Sequence, residues 1–174
     1  LSRYSISVEA KAFPYSGGSG TADDPYQIAT ADDLLELRAS PDHYDAHFIL
    51  TADIDLAPCT FTTAVTAYDT DNLTGGFQGD AFTGVFDGNG HIINNLTINT
   101  SGAGNDYLGL FGHVDGGEIK NLRLSNVSII SGDDSIYVGG LAGFNQNGNI
   151  NNCYSTGTVT AGDNTNYLGG FGGK

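Results

Sequence analysis

The sequence has no methionine and no tryptophan, and only two of its 174 residues are cysteine. Two cysteines do not make a disulfide framework. A bridge between Cys59 and Cys153 would require the fold to bring them within bridging distance. Methionine is missing even from position 1, so the chain reads as a processed product or a piece cut from a longer one, for instance after removal of a signal peptide. Basic residues are scarce, six Lys and Arg against twenty Asp and Glu, which gives a formal net charge of −14. No basic stripe exists to follow a phosphate backbone, and this excludes nucleic acid as a partner. No apolar run approaches the ~20 residues of a membrane-spanning helix, so no transmembrane segment is expected.

What is present is glycine, 26 residues of it, with 39% hydrophobic and only 15% charged residues. Ile, Leu, Val, Phe and Tyr recur along the whole chain, which is too apolar for a disordered polymer. It is also too rich in glycine for helices, since each helical Gly costs about 1 kcal/mol relative to Ala. Most of the acid is Asp, a turn former whose short carboxylate bonds nearby backbone N–H groups. Many short strands joined by tight corners fit this composition.

An internal repeat organises the strands. Phe82-Thr-Gly84-Val-Phe86, Tyr107-Leu-Gly109-Leu-Phe111, Tyr137-Val-Gly139-Gly-Leu141 and Tyr167-Leu-Gly169-Gly-Phe171 share an aromatic-x-Gly-x-(Phe or Leu) pattern, spaced 25, 30 and 30 residues apart. The first three are each followed by Ile-x-Asn-(Leu or Cys), centred on Asn95, Asn121 and Asn152. Short alternating strands, Val127-Ser-Ile129 and Thr158-Val159-Thr160, complete the unit before Gly- and Asp-rich corners. Each unit reads strand, turn, strand, turn, strand, turn. A coil that returns each strand beside its predecessor satisfies the long crossovers parallel strands need, and such crossovers are overwhelmingly right-handed. The expected fold is all-β, a right-handed parallel β-helix with three-sided rungs of about thirty residues. Phe82, Tyr107, Tyr137 and Tyr167 would form one inward ladder and Phe86, Phe111, Leu141 and Phe171 another. Asn95, Asn121 and Asn152 would form an amide ladder at a corner.

Three regions follow. Residues 82–174 carry the clean rungs and stop just as a fourth unit begins, which leaves that end open. Residues 16–81 form an N-terminal cap with an irregular first rung. Within it Thr30 is the N-cap of a short helix that packs Leu34, Leu35 and Leu37 and ends by Pro41. Phe48-Ile-Leu50 and Ile54-Asp-Leu56 read as early strands, and Pro58 to Asp80 as an insertion. Residues 1–15 hold an alternating strand, Tyr4-Ser-Ile6-Ser-Val8-Glu-Ala10, suited to pairing with the open end of another copy, head to tail.

The run Tyr137-Val-Gly-Gly-Leu-Ala-Gly143, followed by Gly148-Asn-Ile-Asn-Asn-Cys-Tyr-Ser-Thr-Gly-Thr-Val159, resembles the GLUG repeat. That repeat occurs in bacterial surface and secreted proteins, including haemagglutinin-like adhesins and non-catalytic regions of IgA-specific metallopeptidases. The leader is similar too: Gly18-Ser-Gly-Thr-Ala-Asp-Asp-Pro-Tyr-Gln-Ile28, Leu50-Thr-Ala-Asp-Ile-Asp-Leu56 and Phe86-Asp-Gly-Asn-Gly-His-Ile-Ile93. The resemblance implies a right-handed parallel β-helix in an extracellular setting, at a cell surface or secreted, and names no activity.

Candidate chemistry is thin. The zinc-peptidase helix pattern His-Glu-x-x-His is absent, and His43, His47, His91 and His113 stand in no such context. A polysaccharide lyase needs a basic residue, and Lys120 and Arg123 are the only ones in the rungs. A hydrolase needs a set carboxylate pair that the corners do not single out. No catalytic residue and no resident cofactor are expected. Calcium is the one metal to consider: Asp69, Asp71 and Asp80 lie in a loop with the opening of a calcium-binding pattern, although Leu73 and Thr74 break it. Asp23, Asp24, Asp53, Asp55 and Asp87 are alternatives across corners. The functional expectation is a non-catalytic structural or adhesive module with a host, cell-surface or self partner. A carbohydrate-binding module comes second; it would use exposed aromatics drawn from Tyr15, Tyr26, Tyr44 and Tyr68.

Overall fold

A computed structural model describes residues 14–102 and 104–173. The strand expected over residues 4–10 lies outside the described residues. After β1 (Tyr26–Ile28) comes the helix α1 (Ala31–Ala39), then a 3-10 turn at Pro41–His43. The strands β2 (His47–Leu50), β3 (Ile54–Asp55), β4 (Val85–Asp87), β5 (Ile92–Asn94), β6 (Thr97–Asn99), β7 (Phe111–Asp115) and β8 (Glu118–Lys120) follow. The remainder is β9 (Arg123–Ile130), β10 (Ile136–Gly139), β11 (Ala142–Gln146), β12 (Asn149–Asn151), β13 (Tyr154–Thr160) and β14 (Asn166–Gly169).

The protein is all-β apart from α1 and the 3-10 turn, and its strand pairs are parallel. One sheet runs β1-β2-β4-β8-β12 and another β3-β5-β9-β13 with β6 also beside β9, while β7 pairs with β11 and β10 with β14. Partners lie about one repeat apart: Glu118 faces Asn149, Arg123 faces Tyr154 and Ile136 faces Asn166. In the repeats the connection between two parallel neighbours is therefore made of strands of the other sheets, whereas β1 and β2 are joined through α1. Period-two alternation then sends one side chain of each short strand inward. Phe48, Phe86, Ile119 and Ile150 stand in register across the first sheet. Ile98, Ile129 and Val159 do the same in the second. Burying a residue such as Phe86 contributes roughly 1.5–3 kcal/mol, and its ring is fully buried.

α1 forms where its cap dictates. The Thr30 hydroxyl accepts the Asp33 N–H at 3.2 Å while the Asp33 carboxylate accepts the Thr30 N–H at 3.0 Å, a reciprocal capping box. Asp33 is fully buried and also receives Ser16 Oγ at 2.6 Å and the Ala29 N–H at 3.0 Å, so it ties the chain before the helix to the helix itself. Leu34 and Leu37 are fully buried, and Leu35 packs against the core from its edge. From the last turn Arg38 reaches the insertion, donating to the Ala64 and Val65 carbonyls and to Thr63 Oγ1.

Several expected alignments differ. The unit holds four strands, β10 to β13, where the pattern implies three, because the aromatic-Gly segment breaks at Gly140 and Leu141. A Cβ on Gly139 would meet the Ala142 carbonyl and the Gly172–Gly173 backbone, so neighbouring chains approach there as only glycine permits. Phe82 does not stand below Tyr107. It bridges Val114, and its ring touches Tyr44, Phe48 and Phe111. Phe86 faces Ile119 and not Phe111, and Phe111 faces Ala142 and not Leu141. The cause is one residue gained between Gly109 and Phe111 in the next unit, which moves Leu141 into line with Leu110 on one side and Phe171 on the other. Tyr107, Tyr137 and Tyr167 do stack, with ring centroids 5.0 and 4.9 Å apart.

The amide ladder also divides. Asn121 and Asn152 share one corner, the Asn152 amide donating to Asn121 Oδ1 at 2.9 Å. Asn95 belongs to the following corner, where Asn126 donates to its Oδ1 at 2.7 Å. All four have positive φ, between 50° and 60°. Two corners per repeat each need a left-handed residue, and Asn tolerates that conformation better than most. The same short motif thus marks two different corners.

Candidate functional site

Each amide ladder begins at a carboxylate. Asn121 donates to Asp87 Oδ1 at 3.0 Å, and Asn95 donates to Asp55 Oδ1 at 2.7 Å. An amide ladder runs donor to acceptor, so its first member need only accept, which suits an ionised Asp. Both carboxylates also bind the backbone N–H two residues on, Asn89 at 2.7 Å and Ala57 at 2.9 Å. The bond from Asn95, and after it that from Ala57, holds the Asp55 carboxyl below its usual range. Asp53 is lowered in the same way, first by the Ile92 N–H at 3.0 Å and then by His91 at 3.1 Å. Asp53, Asp55 and Asp87, weighed above for calcium across corners, each commit Oδ1 to two bonds with the chain.

The loop acids separate. Asp71 is half-buried, and its carboxylate accepts the Leu73 N–H and the Thr74 hydroxyl. Asp80 lines a cavity of about 50 Å³ with Arg38, Pro41, Tyr44, Tyr68 and Thr70. Asp69 is buried, 3% exposed, beneath the same loop. Among the described residues no group of three His, Cys, Asp or Glu side chains gathers to hold a metal.

The tyrosines considered for carbohydrate are mostly interior. Tyr15 and Tyr44 are in the core, their hydroxyls bonded to His43 Nδ1 and to the Arg38 carbonyl. Tyr26 packs on Tyr15 and Phe48, and the Arg38 guanidinium sits 4.2 Å from the Tyr68 ring centroid. Periodicity could not reveal this, because these rings pack against the helix and insertion, outside the repeat. Lys120 is neutralised by Glu118 at 3.0 Å and borders a groove of about 200 Å³ with His47, Ile49 and Asp87 on the outer face of the first sheet. Cys59 and Cys153 are free thiols, and burial raises the Cys153 thiol pKa. Asn95 and Asn126, each of which begins an Asn-x-Ser/Thr triplet, are engaged in their ladder.

The last repeat differs from all of these. Tyr154, Tyr167, Leu168 and Phe171 are 60%, 50%, 49% and 38% exposed. The counterparts of Leu168 and Phe171 one repeat earlier, Val138 and Leu141, are buried, whereas Tyr137 is half-buried and Arg123, which faces Tyr154, is exposed. One face of β12, β13 and β14 is thus apolar and lacks a neighbouring strand among the described residues. Sequence pattern finds these residues but cannot say whether anything covers them.

Parallel strands at a thirty-residue spacing, corner amide ladders and a helix packed at one side define an all-β repeat protein. Residues 134–160, spanning β10 to β13, match the GLUG motif family, so the chain carries a GLUG motif. It is 38% identical over 163 residues to Halomucin of Haloquadratum walsbyi, a match covering 88% of this chain and 2% of that protein. It is 33% identical over 142 residues to a protein of Evansella cellulosilytica named as a Gly-rich membrane protein, covering 79% of this chain and 15% of that one. The chain therefore spans a small fraction of the curated relatives it matches. A crystal structure of a Bacteroides ovatus protein named as an immunoglobulin A1 protease has a TM-score of 0.59 over 91% of this chain and 47% of that one. At 23% identity that likeness is one of fold alone.

Proposed function

We propose that this is a non-catalytic structural and adhesive module of a surface or secreted protein, built as a right-handed parallel β-helix and displayed outside the cell. The observation that supports the reading is the face of the last repeat, where Leu168 and Phe171 are exposed and, among the described residues, no further strand pairs with β12, β13 or β14. An unpaired strand edge is a template for pairing with another chain. The chemistry of the remaining surface agrees with a passive role, since its acids are bound into corners and its one rung lysine is paired. The membrane-protein name of one relative and the GLUG motif favour surface display.

In this reading the open face receives an equivalent surface, and copies stack end to end. Sedimentation and electron micrographs of the purified chain test it. Oligomers or filaments that dissociate when Leu168 and Phe171 are replaced by Ser are expected. A strict monomer at high concentration overturns the self-assembly.

A further inference from the structure

The loop between Tyr68 and Asp80 contains a buried acid with an idle oxygen. Asp69 Oδ1 accepts the N–H groups of Asp71 at 3.2 Å and Gln78 at 3.1 Å, while Asp69 Oδ2 is buried with no hydrogen-bond partner. Gln78 Oε1 is buried and equally idle. Its amide is not free to turn over, because Nε2 donates to the Gly75 carbonyl at 3.1 Å. The third group is Asp106. Its backbone N–H is bound by Asn72 Oδ1 at 3.1 Å, which fixes it to the same loop, and its own Oδ1 accepts the Ile136 N–H at 2.8 Å. Burial raises the Asp106 pKa, and the nearby Asp69 charge adds to that effect.

A buried carboxylate oxygen with neither a proton donor nor a counter-charge is costly. Asp69 Oδ2 is such an oxygen, the Gln78 amide oxygen is orphaned in the same loop, and the half-buried Asp106 carboxylate stands close enough for the Asp69 charge to act on it, so a positive charge among the three would offset the cost. Every idle atom is an oxygen, the donor set of a hard cation. Few protein ligands and an irregular loop suit calcium, which accepts variable geometry and completes its shell with water, better than magnesium, which demands a near-ideal octahedron.

We propose that Asp69, Asp106 and the Gln78 side-chain oxygen bind a calcium ion that locks the 69–80 insertion onto the turn preceding β10. Asp71 and Asp80 take no part. With so few protein oxygens the affinity falls in the range of extracellular modules, about 10⁻⁴–10⁻³ M.

Calcium itself is the probe, added to chelator-treated protein and followed by melting temperature and calorimetric titration. Wild type gains a calcium-dependent rise in melting temperature, and so does Asp23→Asn/Asp24→Asn, which removes two exposed charges from elsewhere on the acidic surface. Asp69→Asn loses the rise and, relieved of a buried charge, melts no lower than wild type in chelator. Asp106→Asn keeps Oδ1 for the Ile136 N–H and weakens calcium at least about tenfold through the lost charge. This variant decides the matter should Asp69→Asn fail to fold. A wild type indifferent to calcium, or a rise that survives in both Asp69→Asn and Asp106→Asn, overturns the site.

Discussion

The N-terminal side of the molecule and its last repeat are built from the same parallel pairing, yet they are finished differently. On the N-terminal side each layer meets something. β1 lies along β2, Phe61 bridges Ile98 in β6, and Thr66 bridges Phe111 in β7. α1 closes over this region and Arg38 fastens the insertion beneath it. The last repeat keeps the register and the corner amides, but Tyr154, Leu168 and Phe171 are exposed there. Register is a property of two adjacent layers, whereas burial needs a third. A repeat can therefore be fully formed in its backbone while contributing little apolar stabilisation.

That difference is open to measurement. Phe86→Ala, within the covered layers, should cost about 3–5 kcal/mol in urea unfolding. Phe171→Ala, in the last repeat, should cost under about 1 kcal/mol in the dissociated chain. Equal losses would mean that Phe171 is covered in solution, and the contrast would fail. The corner amides offer a finer version. Asn121 both donates to Asp87 and accepts from Asn152, whereas the Asn152 side chain, among the described residues, makes just the bond to Asn121. Asn121→Ala should cost about 1–3 kcal/mol, more than Asn152→Ala. Asn121→Gly removes the same bonds but accepts the φ of 52° without strain, so it should recover about 1 kcal/mol of that loss.

The repeat itself was legible because inward ladders leave a period in the sequence. Tyr107, Tyr137 and Tyr167 are thirty residues apart and their rings stack. α1 was equally legible, its N-terminus marked by Thr30 and its end by Pro41. Alignment between units was not. A single residue gained before Ala142 shifts Phe111 off Leu141, and motif matching carries no penalty for such a slip. Asn95 resembled Asn121 because two corners impose the same left-handed backbone, and so the sequence marks conformation without saying which corner adopts it. The role of Asp33 as a buried knot, and the burial of Tyr15 and Tyr44, depend on contacts across the cap that have no period. The idle oxygens of Asp69 and Gln78 are invisible for a related reason. A calcium loop contiguous in sequence has a pattern, whereas a site closed by Asp106 from another segment has none.

The smallest effect concerns one column that the two regions share. His113 in β7 stands in register with Phe144 in β11, and Phe77 from the insertion packs on His113 edge-on with ring centroids 4.7 Å apart. Both imidazole nitrogens are buried without hydrogen-bond partners. Burial lowers the His113 pKa, and the weaker pull of Asp115 acts in the opposite direction. The folded value therefore lies below the unfolded value of about 6.5. Its contribution to stability is complete above that pH and is lost as pH falls toward the folded value, because the unfolded chain takes up the proton first. The carboxylates of Asp53 and Asp55, lowered by their own bonds, lose their contributions only below about pH 4, whereas the His113 contribution begins to fall at about 6.5. His113→Phe continues the column with the residue found one repeat later. It should flatten the fall of melting temperature as pH drops below about 6.5, and melt at or above wild type at pH 8, since no idle nitrogen remains buried. A slope that survives the substitution would move the acid sensitivity away from the insertion. The covered side would then owe its closure to Arg38 and the loop backbone alone, with Phe77 resting on a column indifferent to charge.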